Sequence, residues 1–262
     1  MKGLGNMRGG EDWIGRITGD LIVAMGFYTR LPFQHNRVSS GEDLAAASWA
    51  APVAGVVVGA TGVLAYWLAH AAGLGPLMAA GLTIVATLLV TGGLHEDGLA
   101  DTADAFGAGA TPQTRLAIMR DSRIGTFGAC ALVLSFGLRW AAVASLVGPA
   151  RVAAALIAAH AAARAMPPLL MRVVPPARPD GLSAAAGLPP AESVAAAALL
   201  GLAALLLGLG FGRWLIAVAL LGVCLLGIRW LALNKIGGQT GDVLGALEQI
   251  CEIVVLLVAA RG

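Results

Sequence analysis

Two adjacent apolar stretches decide the fold: AESVAAAALLGLAALLLGLG at residues 191–210 and GRWLIAVALLGVCLLGIRWLA at residues 212–232. A helix that crosses the hydrocarbon core of a bilayer needs about 20 predominantly apolar residues, and both stretches reach that length. Further segments of this kind lie along the chain at 46–72, 76–94, 126–147, 149–171 and 241–260. The sequence therefore predicts an all-α, polytopic transmembrane helical bundle of about seven spans.

The composition excludes an ordinary soluble domain. Of the 262 residues, 58% are hydrophobic and 12% are charged, whereas soluble domains carry about 25% charged residues. Mean hydropathy is +0.82. The formal net charge of +2 is too small to indicate nucleic-acid binding. The apolar composition instead predicts that the chain is embedded in a lipid bilayer. The sequence leaves open whether the chain forms a homo-oligomer.

The basic residues predict the orientation of one membrane domain over residues 1–262. The stretch 13–31 carries Arg16, Asp20 and Arg30, and we interpret it as an interfacial or re-entrant helix within a cytoplasmic or interfacial segment, 1–45. Other basic residues concentrate in connections that fall on the same side of the predicted membrane. The positive-inside rule places that side in the cytoplasm. The cytoplasmic active-site loops are then 92–125, 172–190 and 233–242.

The most informative acidic cluster is LHEDGLADTAD at residues 94–104. Asp97, Asp101 and Asp104 fall within about 60° of one another on a helix, and they would repel each other unless a cation lies between them. Carboxylate oxygens suit a hard divalent ion such as Mg²⁺. A cation-coupled transporter could use the same face. We expect the metal ligands to come from Glu96, Asp97, Asp101, Asp104, Asp121 and Asp242.

A second motif, MRDSRIGTFG at residues 119–128, directly precedes a predicted span. Arginine suits bidentate contact with phosphate, and helix N-termini with glycines bind phosphate through free N–H groups. This predicts a phosphate site that includes Arg120, Ser122 and Arg123. A positive-inside anchor would explain the two arginines but not Asp121 or the glycines.

A third motif, GGQTGDVLGA at residues 237–246, opens the last span. Either Thr240 or Asp242 is in position to cap that helix. Further along, Glu248 and Glu252 lie on one face of an otherwise apolar run. Acids inside a membrane act as ligands or as partners of arginines, and Arg164, four residues after His160, is the partner that we expect.

An acidic metal platform, arginines and glycine turns on one side of the membrane are what cleavage of a phosphoanhydride requires. The transition state spreads negative charge over the phosphoryl oxygens, and metal ions neutralise it. The pattern therefore indicates a membrane enzyme that transfers a phosphate-linked group.

At these motifs the chain closely resembles the cobalamin synthase family, the adenosylcobinamide-GDP ribazoletransferases. The resemblance rests on FYTRLP (27–32), GLHEDGLADTAD (93–104), MRDSRIGT (119–126) and GGQTGD (237–242), with weaker matches at Arg164 and ARPDGL (177–182). It implies a Mg²⁺-dependent, multi-pass protein of the bacterial inner membrane. It also implies the joining of adenosylcobinamide-GDP to α-ribazole or its 5′-phosphate, late in coenzyme B12 synthesis, with release of GMP.

The resemblance and the motifs together give a hypothesis for the site. The residues expected to bind phosphate or substrate are Arg120, Ser122, Arg123, Arg164, Arg178, Gly237, Gly238 and Thr240. A ribose hydroxyl of α-ribazole attacks the phosphorus attached to cobinamide, and its proton goes to a base for which the candidates are His95, Asp104 and Asp121.

Other classes of protein stay open at this point. The nearest is a membrane phosphotransferase that uses a CDP-activated lipid, although its usual acidic motif has a different spacing. A prenyltransferase is a less favoured alternative, because the final glycine motif would have no role in such an enzyme. A cation-coupled transporter would use Glu248 and Glu252, but transporters usually show two related halves, and the chain shows no internal repeat.

Overall fold

The computed structural model describes residues 9–33 and 41–261, with side chains from Trp13 onward. Within these ranges the chain forms α-helices, one short 3₁₀ turn (Ala47–Ala50) and no named strand. In chain order the helices are α1 (Gly9–Tyr28), α2 (Gly41–Ala46), α3 (Ala51–Ala71), α4 (Pro76–Thr91), α5 (Leu94–Ala108), α6 (Pro112–Ile118), α7 (Thr126–Ser145), α8 (Pro149–Val173), α9 (Leu182–Ala186), α10 (Ala191–Ile236) and α11 (Gly241–Ala260).

Several helices are long and apolar enough to cross a membrane, which confirms the predicted all-α polytopic bundle. Five such segments occur among the described residues, or six if the bent pair of α4 and α5 counts as one. The five are Gly41–Ala71, Thr126–Ser145, Pro149–Val173, Ala191–Ile236 and Gly241–Ala260. Helix α1 is not among them, and its interfacial or re-entrant placement stays a prediction. Residues 1–8 and 34–40 of the predicted N-terminal segment lie outside the described residues.

Helix α10 reverses its direction at Gly210. The backbone there is left-handed (φ 73°, ψ 164°), a conformation that glycine adopts without steric cost. The indole nitrogen of Trp214 donates a hydrogen bond to the carbonyl of Leu202 at 3.0 Å, although a straight helix would separate residues this far apart by about 18 Å. The arms 191–209 and 211–236 therefore lie side by side and correspond to two predicted spans. The total of seven crossings stays a prediction.

The connection between α4 and α5 is a sharp bend of 91°. Gly92 and Gly93 both have left-handed backbones (φ 68° and 73°), and Gly92 ends α4 by donating its N–H to the carbonyl of Leu88. A Cβ atom at Gly92 would lie 2.2 Å from Nε of Arg30. The bend thus ends the predicted span 76–94 early, and the acidic helix α5 leaves it in a new direction.

Helix α8 lies at the centre of the bundle, packed against α3, α10 and α11. Its contacts are close because small residues face it: a Cβ atom at Gly55 would lie 2.2 Å from the carbonyl oxygen of His160, and one at Gly208 would lie 2.6 Å from that of Ala154. Interfaces of this kind are typical of helices that associate inside lipid. Helix α11 packs against α8 on one side and against the acidic helix α5 on another.

Candidate active site

Two neighbouring cavities meet at the start of α5. One has a volume of about 320 Å³ and mostly apolar walls; the other has a volume of about 650 Å³ and charged walls. Leu94 and Asp97 line both cavities. Asp97 therefore lies on the boundary between a chamber suited to an apolar group and one suited to charge.

The charged cavity, which we call the polar cavity, unites two motifs that are separate in the sequence. Its walls include acidic residues of the α5 motif and the loop that precedes α7. The charged and hydroxyl side chains that line it are Arg30, Glu96, Asp97, Asp101, Arg120, Asp121, Ser122 and Arg123. Arg30 was not predicted as a site residue; its place in the motif at 27–32 was the available signal.

Two arginines of the polar cavity, Arg120 and Arg123, are held in exposed ion pairs. Arg120 contacts Asp180, and Nε of Arg123 donates to Oδ1 of Asp121 at 2.9 Å. Hydrogen bonds from Arg123 lower the pKa of Asp121 to about 2, so this carboxylate is a weak proton acceptor and fits a charge-balancing or metal-binding role better than that of the base. Exposed ion pairs contribute little to stability, so phosphate oxygens can replace the carboxylate partners.

Asp104 caps the next helix. Its Oδ2 accepts from the backbone N–H of Gly125 at 2.7 Å and its Oδ1 from that of Gly128 at 2.8 Å, at the N-terminus of α7. A Cβ atom at Gly125 or Gly128 would lie 2.5 or 2.3 Å from these oxygens, which explains the glycines. Asp104 lines neither cavity. Its predicted metal and catalytic roles stay predictions, but both oxygens already have partners.

We expect Asp104→Ala to lower the free energy of unfolding by about 1–2 kcal/mol, because the first turn of α7 loses its cap. The measurement is the thermal unfolding midpoint of the purified protein in detergent. Asp101→Ala is the matched control, since Asp101 is partly exposed on the same helix. Equal midpoints for the two variants would contradict the cap assignment.

The glycine motif at 237–242 clamps the loop that carries Arg178. Gln239 donates its N–H to the carbonyl of Pro175, and its own carbonyl accepts from Ala177, both at 2.8 Å. A Cβ atom at Gly238 would lie 2.5 Å from that Pro175 oxygen. As a result, Nη2 of Arg178 lies 3.9 Å from Oδ2 of Asp242.

Thr240 caps α11, which confirms one of the two interpretations of this turn: its hydroxyl accepts from the N–H of Val243 at 3.3 Å. Thr240 is buried, and neither it nor Gly237 nor Gly238 lines either of the two cavities described above. Their predicted contact with phosphate stays a prediction. The structure gives them a role in shaping the backbone around Asp242.

Asp242 reaches the acidic motif because α5 and α11 touch through glycines. A Cβ atom at Gly98 would lie 2.8 Å from the carbonyl oxygen of Asp242, and one at Gly245 would lie 3.3 Å from Cα of His95. Asp97 and Asp242 line the same cavity, and Asp101 lies one turn beyond Asp97. This all-oxygen donor set fits Mg²⁺, which typically takes one or two carboxylates and completes its shell with water and substrate phosphates.

Behind the cavities lies a buried network of charged and polar groups. Nη1 of Arg139 is 3.1 Å from carboxylate oxygens of both Glu96 and Glu252, and Nη1 of Arg164 is 2.8 Å from Oε1 of Glu248. This confirms Arg164 as a partner of the intramembrane acids. The network consists of His95, Glu96, Ser135, Arg139, His160, Arg164, Glu248, Gln249 and Glu252.

Three members of the network, His160, Glu248 and Glu252, offer ligand atoms within 4.8 Å of one another. Each of these glutamates nevertheless already has an arginine at ion-pair distance, and a metal ion would have to compete with these cations for the carboxylates. Arg164 lines neither cavity, and Glu96 is paired with Arg139. Phosphate binding by Arg164 and metal binding by Glu96 therefore stay predictions, and the ion pairs weigh against both.

The sequence analysis did not identify Arg139 as a member of this network. The signal was available, because a lone arginine in the middle of an apolar span needs an acidic partner at similar depth. Glu252 in the last span is such a partner, and the two side chains are in contact.

The fold and the two cavities define a class: a polytopic all-α membrane protein in which carboxylates and arginines near helix ends line one cavity. A family model described as cobalamin-5-phosphate synthase matches residues 20–260. The chain belongs to this family, as the resemblance of its motifs predicts.

Relatives named adenosylcobinamide-GDP ribazoletransferase are similar over nearly the whole chain. The protein from Bradyrhizobium diazoefficiens is 53% identical, over 96% of each chain. The protein from Mesorhizobium japonicum is 49% identical, over 94% of each chain, and that from Ralstonia nicotianae is 41% identical, over 91% of this chain and 93% of its own. No solved structure matches the chain. The protein is therefore a transferase that acts in a late step of cobalamin biosynthesis.

Proposed function

We propose that the protein joins adenosylcobinamide-GDP to α-ribazole, or to its 5′-phosphate, in a Mg²⁺-dependent reaction that gives adenosylcobalamin, or its 5′-phosphate, and GMP. The names of the relatives support these substrates. The observation that carries the proposal is the polar cavity, in which aspartates of one motif and arginines of another line a single space. A diphosphate substrate would use both kinds of group, the aspartates through a bound divalent ion and the arginines by direct contact with its oxygens.

In the proposed reaction, different residues bind the phosphates and the metal ion. A ribose hydroxyl oxygen of α-ribazole attacks the phosphorus attached to cobinamide, and the bond from that phosphorus to the bridging oxygen breaks, so that GMP leaves. Arg120 and Arg123 contact the phosphate oxygens and balance the charge that develops on them. Asp97, Asp101 and Asp242 would hold Mg²⁺, and the bound ion would supply positive charge against the diphosphate.

Of the three candidates for the base, His95 fits best. Both carboxylate oxygens of Asp104 already accept hydrogen bonds from the N-terminus of α7. Asp121 has a low pKa and is therefore a weak proton acceptor. Nδ1 of His95 lies 3.1 Å from Oε2 of Glu248, and the residue lines the smaller cavity beside Asp97. With Nδ1 held by Glu248, Nε2 is the atom that takes the hydroxyl proton.

We place the protein in the bacterial inner membrane with these cavities facing the cytoplasm. The basic connections converge at one end of the bundle: Nη1 of Arg115 donates to the carbonyl of Lys235 at 2.9 Å, and Arg120 pairs with Asp180 in the loop of Arg178. Convergence of these loops on one side supports the assignment by the positive-inside rule.

A direct assay tests the proposal. Purified protein in detergent is incubated with adenosylcobinamide-GDP and α-ribazole across a Mg²⁺ titration, with a CDP-activated lipid as the competing substrate in parallel. We expect GMP and adenosylcobalamin in equal amounts, no product with excess EDTA and no CMP from the lipid. Release of CMP, or formation of cobalamin without a divalent ion, would contradict the proposal.

A further inference from the structure

The steps above use only polar groups on the wall of the smaller cavity, which we call the apolar cavity, and they assign no ligand to its apolar part. Its walls include Phe27, Tyr28, Pro167, Met171 and Leu182. Its volume of about 320 Å³ is at the lower end of the range for small-molecule sites, roughly 300–1,000 Å³. A corrin macrocycle is too large for this space, whereas a bicyclic aromatic ring with a sugar is of suitable size.

Two polar groups on the walls of the apolar cavity lack partners among the described residues. Oγ of Ser48 is one; the residue is 7% exposed. Nη1 of Arg178 is the other; it is buried and makes no hydrogen bond. Buried polar atoms in folded proteins nearly always have a partner, and burying one without a partner is costly. The two atoms therefore indicate a ligand with a hydrogen-bond acceptor near Ser48 and an anionic group near Arg178.

The apolar cavity opens toward the reacting groups. Its wall includes His95, Asp97 and Asp242, and Asp97 is shared with the polar cavity. Because these residues share one cavity with Tyr28 and Met171, a nucleoside bound there would lie next to Asp97. This is the position that the attacking hydroxyl needs.

We propose that the apolar cavity binds the acceptor, α-ribazole or its 5′-phosphate, an inference that rests on the proposed function. The benzimidazole ring lies against the aromatic rings of Phe27 and Tyr28. The hydroxyl of Ser48 donates to the ring nitrogen that does not carry the ribose. Arg178 contacts the 5′-phosphate when it is present.

The test measures equilibrium binding of α-ribazole to the purified protein in detergent, without the second substrate. We expect Ser48→Ala to weaken binding about five- to tenfold, as for the loss of one hydrogen bond. Ser145→Ala is the control, because that hydroxyl donates to the carbonyl of Ala142 at the far end of α7. Arg178→Ala should weaken binding of the 5′-phosphate at least tenfold and leave that of the nucleoside within twofold.

A second pair of variants tests the wall of the apolar cavity. Leu182 and Leu188 are similarly exposed, 54% and 60%, so both tolerate a charge, but only Leu182 lines the cavity. Leu182→Glu should weaken binding of the 5′-phosphate at least tenfold, and Leu188→Glu should not change it. Absence of wild-type binding, equal loss in both glutamate variants, or a bound phospholipid that α-ribazole does not displace would overturn the inference.

The outcomes separate this inference from the proposed function. If the wild type forms cobalamin but Ser48→Ala and Leu182→Glu raise the KM for adenosylcobinamide-GDP instead of that for α-ribazole, the inference fails and the function stands. If the protein binds α-ribazole with the expected pattern and forms no cobalamin, the function fails and the acceptor site stands.

Discussion

Asp97→Asn is expected to lower the rate of GMP release by about 10²- to 10³-fold, the usual cost of removing one preorganised charge-stabilising group from an active site. Asp97 lines both cavities, so it lies between the proposed acceptor site and the proposed diphosphate site. The amide keeps the shape of the side chain and removes the charge that would hold Mg²⁺. The assay is steady-state GMP release across a Mg²⁺ titration.

Two further variants make this result specific. Asp101→Asn, on the same face of α5, should raise the Mg²⁺ concentration at half-maximal rate, because it replaces a second carboxylate of the proposed Mg²⁺ site with a neutral amide. Glu192→Gln is the control, since Glu192 is exposed in the first turn of α10 and lines neither cavity. Wild-type turnover in both aspartate variants at low Mg²⁺ would remove the acidic motif from the site.

The hydropathy pattern predicted the helices well because spanning helices must be apolar over about 20 residues. It did not predict the right-angle bend after α4, where Gly92 and Gly93 lie inside a window that still averages as apolar. At Gly210, in contrast, the hydropathy pattern did predict the change of direction. There the predicted break between 191–210 and 212–232 agrees with a glycine whose backbone no other residue adopts easily.

The site was only partly predictable. Helical periodicity placed Asp97, Asp101 and Asp104 on one face, but it could not show that Asp104 caps a helix that begins 22 residues later. Such a contact depends on how α5 packs against α7, which a local pattern does not contain. For the same reason, the clamp between Gln239 and Pro175, which brings Arg178 to Asp242, is visible only in three dimensions.

The buried network yields the second large effect: Arg139→Met is expected to destabilise the protein by about 3–5 kcal/mol, the cost of breaking a buried ion pair by removing one partner. Arg139 is 1% exposed and contacts Glu96 and Glu252 together, so the variant leaves two buried carboxylates that lack this cation. The apolar surroundings of the bundle increase that cost. The measurement is the thermal unfolding midpoint in detergent, with Arg151→Met at an exposed position of α8 as the control.

A double variant separates lost charge balance from lost packing. In Arg139→Met with Glu252→Gln, one of the stranded charges is also removed, and the methionine still fills much of the space of the arginine stem. If the ion pair is the cause, the double variant should be more stable than Arg139→Met alone, and the two effects should be strongly non-additive. Additive losses, or a wild-type midpoint for Arg139→Met, would show that the network does not hold α5, α7 and α11 together. The start of α5, which carries both Glu96 and Asp97, would then need another anchor to keep its aspartates beside Asp242.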